Sequence, residues 1–571
     1  MKNEQIANTF EAIADLLEIK GEVIYKVLSY RRAAEAIRGL GRDLEDVQQG
    51  DGLESIHGVG KAIAAKIGEM LDTGKLTFYD QLVEEVPAGL LQVLAVRGVG
   101  PKSAARFWNE LGVTSLDELE DAAKEGKVQK LSGMGARTEE SLLEAIEEIR
   151  RMQSGRMLID EADTAAETLL ETVRLIPGVL KAELAGSLRR RKETIGDLDV
   201  VAASEDPEGV LNAFSGSSLV LKVLGAGNSK ASVILANGVR AQLWVYPPGA
   251  YGSVLQYATG SQAHNVRLRE RAQKQGLSLS EHGFTTDDGK LLPCPDELDV
   301  YQKLGLAWIP PELREDRGEF GRLPKNLITA GDLRADLHSH TTWSDGRHSI
   351  EEMVQAAQVA GLSMLAITDH SRSLGVAGGL DIDQWRRQHA AIRDLQVELG
   401  DAFHILHGAE VEILNDGTLD FPEEILDEMD LVVASIHSGL RQEGDQVTSR
   451  LLTAIANPYV DIVGHPTGRL LGKREGMSLN MEAVFAAAAE HRVALEINAH
   501  PYRLDLNDAY ARRAVDVGCL LAINSDSHNV SGFANLPYGI GTARRGWVPR
   551  ESVVNTWGKA DLMSWLQRNQ S

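Results

Sequence analysis

The sequence is poor in cysteine, in long apolar runs and, over one stretch, in acidic residues. Its two cysteines, Cys294 and Cys519, cannot build a disulfide framework, which favours a reducing compartment. No run of about 18 apolar residues occurs, so no membrane-spanning helix is expected. The first residues also lack the apolar core of a signal peptide, and we therefore expect a cytoplasmic protein.

The charge of the chain is unevenly distributed. A net charge of −24 argues against a uniformly basic nucleic-acid-binding protein. However, no Asp or Glu occurs from Gly209 to Arg269, and the run Arg189-Arg190-Arg191-Lys192 lies just upstream. Binding depends on local patches rather than on the average charge, so the middle of the chain is a candidate anion-binding region.

The length and periodicity of the chain predict several modules. A chain of 571 residues exceeds what one hydrophobic core supports. Apolar residues at helical spacing, such as Ile6, Phe10, Ile13 and Leu17, predict helices in the first 150 residues. Strand patterns at 199–202 and 231–235 interrupt helices in the next part, and helices and turns are expected over 246–320. Beyond residue 334, short apolar strands alternate with helices, which predicts a parallel barrel.

Metal-ligand residues follow the strands of this predicted barrel. Three of the 15 histidines precede His338, and the rest begin there. A His-x-His or Asp-x-His segment on extended chain places both side chains on one face. Imidazole and carboxylate together suit Zn²⁺, Mn²⁺ or Fe²⁺, and this many ligands indicate two or three ions. The candidate ligands are His338, His340, Asp345, His370, Glu410, His437, His465, Asp526 and His528.

A second constellation combines a Gly-Ser pair with two aspartates. Gly186, Ser187 and Arg190 offer backbone N–H groups, a hydroxyl and a cation to a phosphate tail. Asp197 and Asp199 lie two residues apart on a predicted strand, so both carboxylates face the same side, as shared Mg²⁺ ions require. At this spacing the two elements indicate a nucleotidyltransferase.

Three short turns share the pattern Gly, apolar residue, Gly, and an amphipathic helix follows each turn. Such helix-hairpin-helix turns bind a DNA phosphate through backbone N–H groups without reading the base sequence. A single turn of this kind is most simply an ordinary connection between helices, whereas three such turns in one chain argue for DNA binding. The glycines are Gly58 and Gly60, Gly98 and Gly100, and Gly133 and Gly135.

Residues 334–571 resemble the PHP (polymerase and histidinol phosphatase) domain, because every ligand position of that family's trinuclear site is matched. The resemblance implies phosphoester hydrolysis by water activated on the metals. It also implies three ligand sets: His338, His340, Glu410 and Asp526; Glu410, His437 and His465; and Asp345, His370 and His528. Arg503 is a further candidate for phosphate contact, with an ordinary surface arginine as the alternative.

Residues 1–320 resemble family X DNA polymerases. Tyr257, Gly260, Asn265 and Arg269 match that family's nucleotide-binding segment. Lys66 falls where lyase-active members keep a Schiff-base lysine, and an exposed helix lysine is the alternative.

The whole chain therefore resembles bacterial family X polymerases (PolX) with a C-terminal PHP domain. The implied fold is multidomain α+β and α/β, with helical domains, a nucleotidyltransferase palm and a distorted (β/α)7-like barrel. The implied division is a lyase-like helix-hairpin-helix domain (1–78), a fingers-like domain (79–150), a palm (151–245), a thumb-like nucleotide-selection domain (246–320), a linker (321–334) and the PHP domain (335–571).

Two positions depart from the polymerase pattern. Gln242 stands where the family has a third catalytic aspartate, and a neutral amide cannot accept the proton of a primer 3′-hydroxyl. Ala258 stands where an aromatic residue commonly helps to exclude ribonucleotides. We therefore expect polymerisation to be weak or lost and discrimination between sugars to be altered.

The main hypothesis is a DNA-repair enzyme whose PHP domain is a metal-dependent 3′-5′ exonuclease or phosphoesterase. The alternatives are an active gap-filling polymerase, a non-catalytic DNA-end-binding protein and a small-molecule phosphatase; the DNA-binding turns argue against the last. The expected partners are dNTP and gapped, nicked or 3′-ended DNA. The expected ions are Mn²⁺ or Zn²⁺ in the PHP site and Mg²⁺ or Mn²⁺ in the polymerase site, and the expected state is a monomer.

Overall fold

The computed structural model describes residues 3–38, 44–50, 52–56, 58–96, 98–154, 156–321 and 323–567. The chain forms two compact units, Met1–Ser154 and Gly155–Ser571. None of the described helices has the length and apolarity needed to cross a membrane. His57 and Arg97, which flank two of the predicted DNA-binding turns, lie outside the described residues.

The first unit is helical in all its regular described segments. The spacing of Ile6, Phe10, Ile13 and Leu17 places all four side chains in one buried core, which confirms the predicted periodicity. The helices are α1 (Asn3–Lys20), α2 (Ile24–Arg38), α3 (Leu44–Gln49), α4 (Lys61–Thr73), α5 (Thr77–Glu85), α6 (Leu90–Leu94), α7 (Pro101–Leu111), α8 (Leu116–Lys124) and α9 (Ala136–Ser154).

The second unit begins with a five-stranded sheet of order β2-β4-β7-β6-β5. Strands β4 and β7 run parallel, and their register pairs Asp199 with Gln242. The strands predicted at 199–202 and 231–235 are present as β4 and β6. The elements are β1 (Met157–Leu158), α10 (Ile159–Arg174), β2 (Lys181–Leu184), α11 (Gly186–Arg189), β3 (Thr194–Ile195), β4 (Leu198–Ala203), α12 (Pro207–Ser215), β5 (Val220–Ala226), β6 (Lys230–Leu235) and β7 (Arg240–Tyr246).

The next segment contains strands where only helices and turns were expected. A three-stranded antiparallel sheet follows two helices, because Leu277 to Ser280 alternates apolar and polar residues and Gly289 closes a tight turn at φ +81°. The expectation for 246–320 was therefore incomplete. The elements are α13 (Tyr251–Thr259), α14 (Gln262–Gln273), β8 (Leu277–Ser280), β9 (Gly283–Thr286), β10 (Leu291–Leu292) and α15 (Glu297–Lys303).

A seven-stranded parallel sheet makes up the C-terminal part, in the sequential order β11 to β17. A bridge between Ser339 and Ser527 joins the ends of the first and last strands, so the sheet nearly closes into a barrel, as the sequence predicted. The strands are β11 (Ala335–Asp336), β12 (Met364–Ile367), β13 (His404–Glu412), β14 (Leu431–Ser435), β15 (Ile462–Val463), β16 (Ala494–Asn498) and β17 (Leu520–Asn524).

Helices surround the barrel, and apolar side chains fill its interior. Leu337, Leu406, Val433 and Ile462 belong to the inner core, and Trp565 of the last helix packs against it. The helices are α16 (Ile350–Val359), α17 (Ile382–Leu399), α18 (Glu423–Leu426), α19 (Gly444–Ile455), α20 (Met481–His491), α21 (Asp508–Val517), α22 (Leu536–Arg545) and α23 (Lys559–Leu566). The six-part division of the chain stays a prediction.

Candidate metal centre, nucleotide cavity and DNA-binding turns

The predicted metal ligands converge at the carboxyl-terminal end of the barrel. Strands β11, β12, β14, β15 and β17 each end just before a histidine or aspartate of the set, and β13 carries Glu410 itself. Most of these side chains are buried, and only Asp345 and His528 are about a third exposed, each at 35%. The parallel topology therefore brings residues from the whole C-terminal part to one place.

Glu410 lies at the centre of this cluster. Its Oε1 is 3.0 Å from Nε2 of His465 and 3.2 Å from Nε2 of His437. Its Oε2 is 3.3 Å from Nε2 of His338 and 3.5 Å from Nε2 of His340. Oε2 also lies 2.9 Å from Nδ1 of His370. The two oxygens thus face different sets of histidines, which is the arrangement expected of a carboxylate that bridges two metal ions.

Two aspartates complete the other ligand groups. Asp526 Oδ1 lies 3.2 Å from Nε2 of His340, and Asp345 Oδ1 lies 3.3 Å from Nε2 of His528 and 3.6 Å from Nε2 of His370. Three groups of described residues bring candidate ligand atoms within 4.8 Å of one another. They are His340, Asp345, His370 and His528; His338, His340 and Asp526; and His370, Glu410 and His437.

The polar atoms of the cluster fit divalent ions. Glu410 Oε1, His338 Nε2 and His340 Nδ1 are buried, and no hydrogen bond of good geometry reaches them. Leaving such atoms unsatisfied costs about 1–3 kcal/mol each, which a metal ion would offset. Burial and the neighbouring histidines lower the pKa of His340 to about 3, so its imidazole is neutral, as a ligand must be.

Carboxylates outside the cluster orient two of the histidines. Glu496 Oε1 lies 2.8 Å from Nδ1 of His338, and Glu412 Oε2 lies 2.8 Å from Nδ1 of His437. Glu412 is in turn 3.4 Å from Nη2 of the buried Arg450. These contacts turn the Nε2 atoms toward the cluster and fix the tautomers.

Sequence reasoning missed both orienting carboxylates. Glu412 stands two residues after Glu410 on the same strand, and this spacing was the available signal. At the rim, Arg503 was predicted and lies with its Nε 3.6 Å from Oδ2 of Asp526.

The second site is a cavity of about 570 Å³ beside the five-stranded sheet, here called the nucleotide cavity. All the residues predicted to bind nucleotide or to act in polymerisation line it. They are Gly186, Ser187, Arg190, Asp197, Asp199, Tyr257, Gly260, Asn265 and Arg269. Gly186 has φ +62°, and a Cβ there would lie 2.2 Å from Oδ2 of Asp199, so only glycine permits this close approach.

Two neighbouring side chains contact the aspartates of this cavity. Gln242 Nε2 donates to Oδ2 of Asp197 at 2.6 Å, and Trp244 Nε1 lies 3.5 Å from Oδ1 of Asp199. Burial and the nearby Asp197 raise the pKa of Asp199 to about 7. Arg190 lines the cavity, but its Nη1 donates to the Thr259 carbonyl and its Nε donates to Glu315. A bound phosphate would therefore compete with these two acceptors for the guanidinium group.

The three glycine turns have one geometry. Gly58, Gly98 and Gly133 have φ of +88°, +87° and +78°, and helices α4, α7 and α9 each begin three residues later. A Cβ at Gly60, Gly100 or Gly135 would meet no atom within 4 Å. The second glycines therefore face open space at helix starts, where the first N–H groups of a helix lack intrahelical partners; in α7 the first residue, Pro101, offers none.

Lys66 lies on α4, with its Nζ 5.0 Å from the centre of the Phe78 ring. The lyase role of Lys66 stays a prediction.

Comparisons with known proteins agree with this arrangement. Residues 1–76 match the helix-hairpin-helix domain family, residues 90–148 the SAM-like helix-hairpin-helix tandem, residues 254–315 the DNA polymerase beta thumb and residues 336–500 the PHP domain. The chain is 37% identical over 574 residues, all of both chains, to a Bacillus subtilis (strain 168) protein named DNA polymerase/3′-5′ exonuclease PolX.

Two further relatives each match one part of the chain. DNA polymerase lambda of Rattus norvegicus is 26% identical over 55% of this chain and 56% of its own length. A probable phosphatase of Thermoanaerobacter sp. (strain X514) is 29% identical over 39% of this chain and 91% of its own length.

Proposed function

The chain belongs to the bacterial PolX family of DNA polymerase/3′-5′ exonucleases, and we propose that its metal-ligand cluster degrades DNA from the 3′ end while Gln242 weakens synthesis. The observation that carries this proposal is the position of Glu410, whose carboxylate lies within 3.5 Å of four histidine Nε2 atoms. A buried carboxylate surrounded by imidazoles has the ligand chemistry of a site for divalent ions, which supports a metal-bridging role for Glu410.

In this reaction the residues of the chain position ions and DNA. Two or three Mn²⁺ or Zn²⁺ ions, bound by the nine ligands, would neutralise phosphate charge and lower the pKa of water. Glu496 and Glu412 hold His338 and His437 with their Nε2 atoms toward the cluster. Arg503, beside Asp526, provides a cation for a phosphate oxygen of the strand.

The nucleotide cavity is proposed to bind dNTP with Mg²⁺ or Mn²⁺ and to transfer its nucleotidyl group slowly to a primer 3′-hydroxyl, with release of pyrophosphate. Asp197 and Asp199 supply the carboxylates for the nucleotide-side ion, and Ser187 lies where a phosphate tail is expected. Gln242 is hydrogen-bonded to Asp197 and carries no charge, so it neither binds a second ion well nor accepts a proton. Loss of a general base alone costs roughly 10²–10⁴-fold in rate.

The remaining proposals concern DNA, the domains and the cell. The glycine turns would hold the duplex through its phosphates, and Lys66 is the candidate lyase residue. The division at residues 78, 150, 245, 320 and 334 is proposed from the family resemblance. A cytoplasmic monomer is proposed; the two cysteines, Cys294 and Cys519, are free and buried, which supports a reducing compartment.

The test is a gel assay on a 5′-labelled duplex with a one-nucleotide gap. Wild-type protein with Mn²⁺ should shorten the primer both with and without dNTP. His338→Ala should abolish shortening, whereas His491→Ala, which removes an exposed histidine outside the cluster, should not.

Extension by one nucleotide would favour the alternative of an active gap-filling polymerase, which the nucleotide-binding residues and the two aspartates around the cavity support. Binding of the duplex with neither reaction would favour a non-catalytic DNA-end-binding protein.

A further inference from the structure

A smaller cavity, here called the junction cavity, lies within the second unit where the five-stranded sheet region meets the barrel. Its volume is about 220 Å³. Arg191 and Lys192 line it from the sheet side, Asp508 and Arg545 line it from helices α21 and α22, and Arg317 lies in the segment that joins the two regions. Only Arg156 and Lys192 also line the nucleotide cavity, so the two cavities are neighbours with largely separate walls.

The junction cavity is locally positive in an acidic protein. Five cationic side chains line it, against two carboxylates, while the whole chain carries a net charge of −24. One of the two carboxylates, Glu193, is already paired with Arg469 at 2.8 Å. Two carboxylates outside the lining offset part of the positive charge, because Asp163 pairs with Arg191 at 2.7 Å and Glu315 pairs with Arg545 at 3.0 Å. Burial lowers the pKa of Lys192; Glu315 opposes this shift, and Arg545 and other nearby arginines add to it. Such a concave basic surface favours an anion.

Part of the cavity wall is rigid. Arg545 is 7% exposed, and it donates to the Arg190 carbonyl at 2.9 Å and to Oδ2 of Asp508 at 3.0 Å. Gly541 lets α22 approach closely, because a Cβ there would lie 3.1 Å from Cβ of Arg191. A preformed binding surface loses little conformational entropy when it binds a ligand.

The mouth of the cavity is more open. The side chains of Arg317 and Lys192 are 45% and 38% exposed, so they are accessible to a large ligand.

The cavity adjoins the nucleotide cavity and is connected to the metal-ligand cluster through a chain of side-chain contacts. On one side it shares Arg156 and Lys192 with the nucleotide cavity. On the other side the partner of Glu193, Arg469, donates from its Nε to the Arg503 carbonyl at 2.9 Å. Arg503 in turn reaches Asp526 of the metal-ligand cluster.

We propose that the junction cavity binds a backbone phosphate of a single DNA strand whose 3′ end lies at the metal-ligand cluster. This inference rests on the proposed exonuclease function. The cavity is smaller than the roughly 300–1,000 Å³ of pockets that enclose whole small molecules, so it fits one phosphate group rather than a nucleotide. Its position next to the nucleotide cavity, with contacts leading to the metal-ligand cluster, suits a strand that leaves the nucleotide cavity and enters the cluster.

The test uses the full chain with Arg317→Gln, because Arg317 lines only the junction cavity. Its partner Asp508 keeps Arg545 at 3.0 Å, so the substitution leaves no unpaired carboxylate. Arg513→Gln is the matched control, since Arg513 is similarly exposed, at 51%, and also pairs with one carboxylate, Glu482.

Binding is measured by fluorescence anisotropy of a labelled 12-nucleotide (dT) strand in EDTA at several salt concentrations. Arg317→Gln should weaken binding about three- to tenfold and reduce the salt slope by up to about 0.7, the value for one phosphate contact on a single strand. With Mn²⁺, its KM for the strand should rise while hydrolysis of thymidine 5′-p-nitrophenyl phosphate, which is too short to reach the cavity, stays unchanged.

Two results would overturn the inference: an Arg317→Gln protein with the affinity and salt slope of the Arg513→Gln control, or one with weakened dTTP binding and normal strand binding. The second would assign the cavity to the triphosphate. If wild-type protein hydrolysed neither substrate, the exonuclease proposal would fail, and so would the placing of the 3′ end; a lowered salt slope for Arg317→Gln would then show a phosphate site alone.

Discussion

The side-chain amide of Gln242 donates from Nε2 to Oδ2 of Asp197 across 2.6 Å. Gln242 pairs in register with Asp199, so it occupies the position from which a third carboxylate would face both aspartates. A neutral donor at this point satisfies Asp197 without a metal ion. The contact therefore places a neutral amide against one of the two half-buried aspartates, at the position where the proposed loss of synthesis requires that no third carboxylate stands.

Replacing Gln242 with aspartate should raise primer extension. Gln242→Asp supplies a proton acceptor and a third metal ligand, and we expect a gain of roughly 10²-fold or more in single-nucleotide incorporation with Mn²⁺. Incorporation on a one-nucleotide gap, followed in the His338→Ala background to prevent degradation, measures the effect. Gln242→Asn has the same length without the charge and should show no gain. Equal rates for the two variants would mean that another feature limits synthesis.

Replacing Glu410 should weaken metal binding by the cluster. Glu410→Gln removes the charge that faces five histidines, so bound metal, measured by elemental analysis after dialysis, should fall by at least one ion per chain. Exonuclease activity should fall by at least about 10²-fold, because charge neutralisation at the phosphate is lost. Glu490→Gln changes an exposed glutamate and should alter neither quantity. Normal metal content in Glu410→Gln would argue against a bridging role.

Replacing Glu412 should weaken metal binding without abolishing it. Glu412 accepts from Ser438 Oγ at 2.7 Å and orients the His437 ring, but it does not face the cluster. Glu412→Gln should therefore lower metal affinity by about 10–100-fold, and excess Mn²⁺ should restore most of the activity. A metal titration of exonuclease rate checks this. If no concentration of metal restored activity, Glu412 would have a role beyond positioning.

Much of the metal site could be predicted from the sequence because its ligands follow predicted strands. His338 and His340, or Asp526 and His528, share a face through the two-residue repeat of extended chain, and parallel strands bring their ends together. Glu412 and Glu496 were missed because they bind other side chains rather than forming a motif. The three-stranded sheet was also missed, since its strands β8 to β10 are only two to four residues long.

The junction cavity could not be predicted at all. The contact of Arg545 with the Arg190 carbonyl joins residues 355 positions apart, and nothing in local sequence encodes such a pairing. It depends on how the barrel packs against the five-stranded sheet. Leu504, from the barrel region, is buried in the core of that sheet.

Acid should weaken the thumb-like region through Glu297. This buried carboxylate accepts from Arg189 at 2.7 Å and from Arg314 at 2.6 Å, and although burial alone would raise the pKa of Glu297, the two arginines hold it well below its usual range. A lowered folded pKa means that the stabilisation is complete above the unfolded value of about 4.5 and is lost as the pH falls below it.

Glu297→Gln should therefore be less stable than wild type at pH 7 by about 3–5 kcal/mol, because two arginines lose their partner. The difference in free energy of unfolding should shrink below pH ~4.5. Denaturant unfolding followed by Trp308 fluorescence measures it, since Trp308 Nε1 donates to Glu297 at 2.9 Å. Glu270→Gln, at an exposed ion pair with Arg267, is the control and should change little. A pH-independent difference would contradict the assigned charge state.

A carboxylate placed at a glycine turn should separate stability from DNA binding. Gly100 is the N-cap of α7, has an extended φ of −98° and has open space where a Cβ would stand. Aspartate is a good N-cap residue, so Gly100→Asp should leave the melting temperature unchanged or slightly higher. The same charge would repel a DNA phosphate approaching the helix start, and duplex affinity should fall by about tenfold.

Ser115→Asp provides the matched comparison for this last prediction. Ser115 is the N-cap of α8, where its side chain accepts from the Glu118 N–H, and α8 does not follow a glycine turn. The substitution adds the same charge to a helix start in the same unit, so any general electrostatic effect on DNA binding appears in both variants. Only Gly100→Asp should lose affinity beyond that common effect. If both variants bound duplex DNA equally well, the turn at Gly98 and Gly100 would be a structural connection rather than a phosphate-binding site.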